Sequence, residues 1–497
     1  MNETSGTSAT SSSKRPRRIL RWTLIALVWV VTLLALFWVE ENWRGARTLA
    51  ALKRESVRTH IQLDPAAFIP PPVSDEQNFA MTPFFAPLYD FFPGTQTARD
   101  AAASMAVKKF AEDFKMDHFR SGPNGGGWPL GRRVPLANPA AVLEDLKEYD
   151  PVLEELREAA QRRPKARFNI HYEEENPWGI LMPHLNIIKK LCEILTIRAS
   201  AELLLEQNEA ALQDIHLALH LTGTIKDEPT LITHLVRGAA LQIVMQPIWE
   251  GLVGHKWSEA QLAALQTRLQ NIDLIASLNL ALQSERAWGN VTIERVRDAG
   301  IDLRALGSAG NSAMNTLRAA PRGWFDLECR NYNQLFADLV LPVFNLEQRR
   351  IYPKIAAEKA RNIEKTFSGS DVSLISNHLV LSKLLLPAAS KASEKTAFMQ
   401  AAIDIATLAC ALERYRLAHG QFPEKLDALT ARFISRLPHD VVSGESLKFR
   451  RTQSGKFVLY SVGWNESDDG GTIATTAGKP HIQERTEGDW VWQFPVN

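Results

Sequence analysis

The chain has 497 residues, of which 45% are hydrophobic and 23% charged, a composition typical of a globular protein long enough for two to four domains. Its 57 Lys and Arg residues almost balance 56 Asp and Glu residues, so no positive excess favours nucleic-acid binding. Cys192, Cys329 and Cys410 lie far apart, without a CxxC motif or a neighbouring His. This argues against a disulfide framework and predicts buried thiols.

The first 41 residues are expected to reach and cross a membrane. Residues 1–18 are polar and rich in Ser and Thr, which predicts a disordered tail. The run WTLIALVWVVTLLALFWV, residues 22–39, carries no charge, and as a helix it would reach about 27 Å, close to the thickness of the bilayer's hydrocarbon core. We therefore predict a single transmembrane helix over residues 19–41.

The charges around this run predict its orientation. Lys14 and four arginines precede it, whereas Glu40 and Glu41 follow. The positive-inside rule then places the N-terminus in the cytoplasm and the bulk of the chain on the periplasmic side of the cell membrane. A cleaved signal peptide is the alternative, but no small-x-small cleavage motif directly follows the apolar run.

Residues 42–95 are predicted to form a juxtamembrane segment rich in Pro and Phe. It starts as a charged continuation of the helix, and its prolines then prevent a regular helix. Its aromatic residues include Phe84, Phe85, Phe91 and Phe92, which would be costly to leave in water. We expect the segment to lie along the following domain, with a free linker as the alternative.

Residues 96–390 show helical periodicity throughout and predict an irregular α-helical domain. The stretch LTIRASAELLLEQNEAALQDIHLALHLTG resembles one helix-turn-helix unit of tetratricopeptide type, with Asn208 at the turn and Ala211 as the small packing residue. The next 34 residues do not repeat the pattern, so a repeat array does not follow.

Three motifs in this domain resemble metal-binding, phosphate-binding or catalytic motifs only weakly. His216 and His220 have i, i+4 metal-ligand spacing, but the sequence supplies neither the glutamate of a zincin nor a clear third ligand beyond His234. The glycine-rich run at 122–133 lacks the Gly-Lys-Ser/Thr ending of a phosphate-binding loop. The run HYEEENPWG sets Glu173 to Glu175 beside His171, an arrangement more typical of a solvated turn.

The last hundred residues predict a small α+β unit. A helix is expected from Ser393 to His419, with Gly420 as its C-terminal cap. The segments SLKFRRT and KFVLYSVG predict a β-hairpin with its turn at Ser454-Gly455, and alternating Trp490, Trp492 and Phe494 predict a third strand. We expect residues 391–497 to hold a small core of their own.

This order of elements resembles the soluble head of type II secretion major pseudopilins, which are type IV pilin-like proteins. The resemblance covers roughly residues 393–497. It depends on short motifs that occur in the family's order: Tyr415, Gly420, Phe422-Pro423, Leu437-Pro438, Asp440, Gly444, the Leu-Tyr-Ser-Val-Gly run and the paired Asp-Gly steps.

The resemblance implies a calcium site, since the family's heads hold this ion in the corresponding loop. Asp468, Asp469 and Asp489 are the carboxylates expected to bind Ca2+, with loop carbonyls completing the shell. The long insertion before Asp489 departs from the family and can move that residue out of reach. A solvated Asp-Gly turn without metal is the alternative interpretation.

The N-terminal region departs from the family as well. The stretch RWTLIA has Arg21, Trp22 and Ala26 where a pseudopilin has the Gly, Phe and Glu of its processing and assembly signal. We therefore do not expect polymerisation into a pseudopilus. No catalytic residue is predicted, and the favoured function is a membrane-anchored scaffold that binds envelope proteins. The alternative is an envelope hydrolase whose site would gather His171, Glu173 to Glu175 or His184 beside a perturbed carboxylate.

Overall fold

A computed structural model of the chain describes residues 15–92, 95, 97–115, 119, 136, 138–172, 179–299, 317, 320–430, 432–476 and 479–494. The described chain is mainly helical with small antiparallel sheets, which confirms the predicted mainly α class. Its α-helices are α1 (Arg15–Arg58), α2 (Ala101–Asp113), α3 (Pro139–Asp145), α4 (Asp150–Arg162), α5 (Pro183–Leu204), α6 (Asn208–Thr224), α7 (Leu231–Val253), α8 (Glu259–Gln270), α9 (Leu274–Ala299), α10 (Arg322–Leu335), α11 (Pro353–Phe367), α12 (Asp371–Ser376), α13 (Val380–Ser390) and α14 (Ala392–His419).

The N-terminal helix α1 is one continuous element of 44 residues with two different environments. Its most apolar window has a mean hydropathy of 2.4 and is 0% buried. Beyond this window, a stripe of residues at helical spacing turns toward the body of the protein. Glu41, Gly45 and Ser56 of this stripe are buried, and Leu49 and Leu52 are half-buried. The apolar helix predicted at 19–41 therefore exists and ends at Arg58 as part of the body.

The contact between α1 and α10 brings the two backbones together. A Cβ atom built on Gly45 would lie 2.4 Å from the Cα of Gly323, and one built on Gly323 would lie 2.0 Å from the carbonyl oxygen of Glu41. The Asn42 side-chain oxygen accepts the backbone N–H of Gly323 at 2.8 Å. Since the N-cap residue Pro321 gives α10 no side-chain cap, Asn42 satisfies one of the free N–H groups at the start of that helix.

The proline-rich segment packs on the body through short 3-10 turns at Pro65–Phe68, Phe79–Met81 and Ala86–Leu88. Phe84 and Phe85 are buried, as the sequence predicts. Phe91 is only half-buried, and Phe92 is 51% exposed. The segment is thus fastened over most of its length, and Phe92 lies beyond the part that packs.

The predicted helix-turn-helix is present as α5 and α6. The first helix ends at Leu204, the second begins at Asn208, and Ala211 is fully buried. α5 also packs along α7, and α6 contacts both α7 and α8. The tetratricopeptide resemblance of this pair stays a prediction.

Helix α14 occupies the centre of the molecule, between α7, α8 and α9 on one side and the C-terminal sheet on the other. Gly420 ends it in the left-handed conformation (φ 77°) and donates its N–H to the Arg416 carbonyl, which confirms the predicted cap. The apolar window within Val380–His419 is hydrophobic enough to cross a membrane, but 94% of it is buried. It is a core helix.

The C-terminal sheet has three strands and is antiparallel throughout, with its middle strand hydrogen-bonded to both of the others. β3 (Lys448–Arg451) and β4 (Phe457–Ser461) form the predicted hairpin, and β7 (Trp490–Gln493) is the predicted third strand. Trp490 packs its ring edge to face with Phe398 of α14, with centroids 5.3 Å apart. The sequence did not predict β5 (Ile473–Thr476) with β6 (Lys479–Gly488), or the short pair β1 (Phe344–Asn345) with β2 (Arg350–Ile351).

The hydrophobic core is continuous across the predicted boundary between residues 390 and 391. One cluster of buried residues runs from Phe79 to Phe494 and includes both faces of α14. The long helix of residues 391–497 shares its apolar surface with α7, α8 and α9, and a separate core for these residues stays a prediction.

Substitution of Gly45 tests the α1–α10 contact. Gly45→Ala places a methyl group against the backbone of α10, and such overpacking costs typically 1 to 3 kcal/mol or more. Gly223→Ala is the matched control, since a Cβ there meets nothing within 4 Å; it is expected to stabilise the protein by up to about 1 kcal/mol. The check is thermal unfolding of both variants in detergent. Equal melting temperatures would contradict the close contact.

Candidate functional site

The loop that follows β4 is organised around one buried carboxylate, that of Asp489. Its Oδ2 accepts the backbone N–H groups of Gly471 (2.6 Å) and Thr472 (3.3 Å), and its Oδ1 accepts that of Asp469 (3.3 Å). Gly470 and Gly471 have φ values of 69° and 82°, in the left-handed region that favours glycine. The glycines thus let the loop fold its amides around an acid that directly precedes Trp490.

The other two acids of this loop are exposed and bind separate donors. The Oδ1 of Asp468 accepts the Tyr460 hydroxyl at 2.9 Å and the Gly470 N–H at 3.1 Å. The Tyr460 hydrogen bond and nearby Lys448 lower the pKa of Asp468. Asp469 accepts from the Asn465 amide at 2.9 Å through its side chain.

The loop brings the backbone of Asp469 to Asp489, but the three carboxylates bind different donors. Burial raises the pKa of Asp489, against the effect of the three N–H groups, and the charge of Asp469 adds to the rise. Within the part of the chain that the structure describes, no group of three or more His, Cys, Asp or Glu side chains is placed to hold a metal ion. Calcium binding at Asp468, Asp469 and Asp489 stays a prediction.

Two matched substitutions test the role of Asp489. Asp489→Asn replaces an acceptor oxygen with an NH2 group that opposes the loop amides, and we expect a loss of at least about 2 kcal/mol in the free energy of unfolding. Asp468→Asn changes an exposed acid and should cost less than about 1 kcal/mol. Thermal unfolding of the full chain measures both, and similar losses would contradict a special role for Asp489.

The same measurement with calcium and with excess chelator tests the metal site. An ion at about a hundred times its Kd would stabilise the protein by roughly 2.7 kcal/mol. A calcium shift that disappears in a variant with both Asp469→Ala and Asp489→Ala supports the site. An unchanged midpoint would leave these acids as loop formers.

His184, a residue of the alternative enzyme site, belongs to a buried chain of hydrogen bonds. Its Nδ1 bonds the Tyr89 hydroxyl, and its Nε2 lies 2.8 Å from the Oε1 of Glu228. Thr233 donates its hydroxyl to the other Glu228 oxygen at 2.9 Å. The ring of Phe168 stacks on His184 at 4.1 Å. Tyr89 and Glu228, which lie 95 and 44 residues from His184 in the sequence, had no sequence signal that linked them to it.

This chain of hydrogen bonds fastens the proline-rich segment to the helical body. His184 is 0% exposed, and Tyr89 and Glu228 are each 8% exposed. Burial raises the pKa of Tyr89 well above its ordinary value, so the phenol stays neutral. The arrangement joins Tyr89 to the start of α5 and to the loop before α7, which is a structural role.

The other candidate groups of the helical domain do not join His184. His171 is half-buried, with its ring 5.5 Å from that of Phe91, and Glu173 to Glu175 lie outside the described residues, as does the glycine-rich run at 122–133. His216 and His220 have buried Nε2 atoms without a hydrogen-bond partner. Burial and the charge of Arg268 lower the pKa of each to about 4, and that cation also disfavours a metal ion between them.

Carboxyl groups with raised pKa values also occur elsewhere in the core, and no sequence motif pointed to them. Burial raises the pKa of Asp404 and of Glu328 to about 7 each. Burial and the neighbouring Asp214 raise that of Glu202. Glu328 on α10 accepts the N–H groups of Val380 (3.0 Å) and Ser382 (2.7 Å), so it caps the start of α13. Glu328 thus joins α10 to α13, whereas Asp404 accepts from Gln400 (3.1 Å) and Glu202 pairs with Arg198 (3.7 Å), each within its own helix.

Glu328 makes stability depend on pH. Between its ordinary pKa of 4.5 and its folded value of about 7, the folded chain holds a proton that the unfolded chain releases. The free energy of unfolding therefore falls as pH rises through this window. Relative to Glu328→Gln, which does not titrate, the wild type should lose of the order of 3 kcal/mol between pH 5 and pH 8. Urea unfolding at both pH values measures this, and a constant difference would show that the carboxylate ionises freely in the fold.

The base of α1 holds a further buried pair of ionisable groups. Glu41 is 5% exposed and lies 3.4 Å from the Nε2 of His378, which follows α12. Trp324 of α10 packs its ring 5.6 Å from that of His378 and donates its indole N–H to the Ile375 carbonyl. Helix α1 therefore packs against the body of the protein directly after its apolar run.

No family model matches the chain, and none of the curated proteins or solved structures compared with it gives a match.

Proposed function

We propose that the chain is a single-pass membrane protein whose body lies on the periplasmic side of the cell membrane and acts as a scaffold for other envelope proteins. Its N-terminus lies in the cytoplasm, as the positive-inside rule predicts. The observation that carries the proposal is α1, in which an apolar window with 0% burial continues without a break into a segment packed on α10.

The continuity of α1 favours an anchor over a cleaved signal peptide. Cleavage directly after the apolar run would cut inside the helix, next to the buried Glu41 and to Asn42, which caps α10. A mature chain that started beyond Asn42 would lose this cap and part of the docked stripe. Retention of the whole helix keeps both.

We further propose that residues 393–497 form a head of the pseudopilin type, associated with secretion or with the envelope. The helix, hairpin and third strand occur in the expected order. Asp440, one of the residues that carry the resemblance, is buried, and it accepts the N–H groups of Val442 (2.9 Å) and Val462 (3.0 Å). Asp440 therefore joins the loop before the hairpin to the end of β4. This gives an acid at that position a structural function.

An exposed apolar pair on the helical domain supports protein binding. Leu181 is 51% and Ile232 is 50% exposed. The residues that follow them in the sequence, Met182 and Thr233, are in contact, with the sulfur 3.9 Å from the hydroxyl oxygen. Contiguous apolar patches on a surface mark sites that bind other proteins, and we propose that these two side chains contribute to one.

Topology provides the test of the anchor. A phosphatase reporter that folds only in an oxidising compartment, fused after Asn497, should be active in cells. The protein should remain in the membrane fraction after carbonate washing and should keep its N-terminal residues. Reporter activity in the cytoplasm, or a mature N-terminus beyond Val39, would overturn the anchor.

Affinity purification from detergent-solubilised membranes tests the scaffold role. We expect envelope proteins to co-purify with the wild type and to be reduced at least several-fold by Ile232→Asp. Val57→Asp is the matched control, since Val57 is 77% exposed at the far end of α1 and should leave the set of partners unchanged. Equal recovery with all three proteins would show that Ile232 does not contribute to binding.

A further inference from the structure

The base of α1 carries exposed residues to which the proposed function assigns no role. Trp43, Arg44 and Arg47 are exposed on α1, and Arg322 is exposed at the start of α10. We propose that these four residues, here called the collar, seat the body directly on the phospholipid headgroup layer, with the arginines at the lipid phosphates. This inference rests on the proposed membrane anchor and adds a second contact with the bilayer, made by the folded body itself.

The distance along α1 between the end of the apolar run and the body is too short for an exposed helical segment between them. Val39 ends the apolar run, and Glu41 is already buried in the body. Two helical residues span about 3 Å, whereas the headgroup layer on each side of the hydrocarbon core is about 5 to 7 Å thick. The body therefore begins within the headgroup layer.

The side chains of the collar on α1 reach back toward the membrane. Helical side chains tilt toward the N-terminus, which is here the membrane end. The guanidinium carbon of Arg47 lies 5.5 Å from the centre of the Trp43 ring, one turn nearer the membrane, and the Nη1 of Arg44 lies 3.3 Å from the Oε1 of Glu40. Tryptophan favours the membrane interface and arginine binds phosphate well, so both residue types suit this position.

Arg322 lies at the same height on a second element. Gly323 contacts the backbone of Glu41 and Asn42, and α10 packs along α1, whose buried stripe continues from there to Ser56 while its apolar window is 0% buried. The two helices therefore run in the same direction, and the start of α10 faces the membrane. Arg322 is 72% exposed in its side chain.

The charges of the collar fit a zwitterionic lipid layer. Glu40 pairs with Arg44, and Asp298 lies 2.7 Å from an Nη atom of Arg322. Because acids accompany the arginines, the surface suits a layer that contains both phosphates and amines. It does not need an excess of anionic lipid.

The test measures depth with thiol-reactive fluorophores on the full-length protein in phosphatidylcholine vesicles. The three native cysteines are buried, so the wild type, which has no introduced cysteine, should take up no label. It is the control for specific labelling. Single cysteines replace Arg322, Arg330 and Leu33. Arg330 is the matched control because it is an exposed arginine on the same helix, eight residues or about 12 Å further from the membrane. Nitroxides on the lipid headgroup or on the acyl chain quench the label.

We expect headgroup nitroxides to quench the label at 322 at least twofold more than that at 330, and acyl-chain nitroxides to quench the label at 33. If the label at 33 is quenched while those at 322 and 330 are quenched equally, the seating on lipid is overturned and the anchor stands. If no lipid nitroxide quenches the label at 33, the anchor is overturned, and the seating on lipid with it.

Discussion

The burial of α14 on every side is the constraint on which the rest of the fold depends. A helix whose apolar residues cover its whole circumference must be packed against other elements on every side. Here the sheet covers one side, where Trp490 meets Phe398, and α7, α8 and α9 cover the other. His234 of α7 joins this arrangement through the Ser277 hydroxyl of α9 (2.9 Å) and the Thr396 hydroxyl of α14 (2.8 Å). The C-terminal sheet and the helical domain therefore pack on opposite sides of the same core helix.

Local patterns in the sequence predicted individual helices, strands and turns well. They predicted poorly which of these elements pack together. The cap at Gly420, the hairpin and the turn before Asn208 follow from residues within one or two turns, and the structure has all three. The sequence predicted α14 as a helix but not the number of elements that pack on it, because periodicity cannot show how many neighbours a helix has. One cluster of buried residues crosses the predicted boundary at residue 390, and a separate core beyond it stays a prediction.

The same holds for the candidate sites: the sequence identified residues that are close together in the chain, but not the distant residues that contact them. The acids and glycines after β4 identified a loop of special shape, but the sequence did not reveal that Asp489 is bound by three backbone amides. His184 was named, whereas Tyr89 and Glu228 reach it from distant positions in the sequence. Glu328, Asp404 and Glu202 look like ordinary surface acids in the sequence, and only packing gives them raised pKa values.

The contact between Asn42 and Gly323 has a consequence for how the protein is made. The two residues lie 281 positions apart, and at roughly 5 to 20 residues per second the ribosome needs about 15 to 60 s to synthesise the chain between them. During that time α1 is already made, but its docking stripe has no partner. Since α10 must emerge before α1 can dock on it, this contact between the two ends of the helical region forms late, after most of that region has been made.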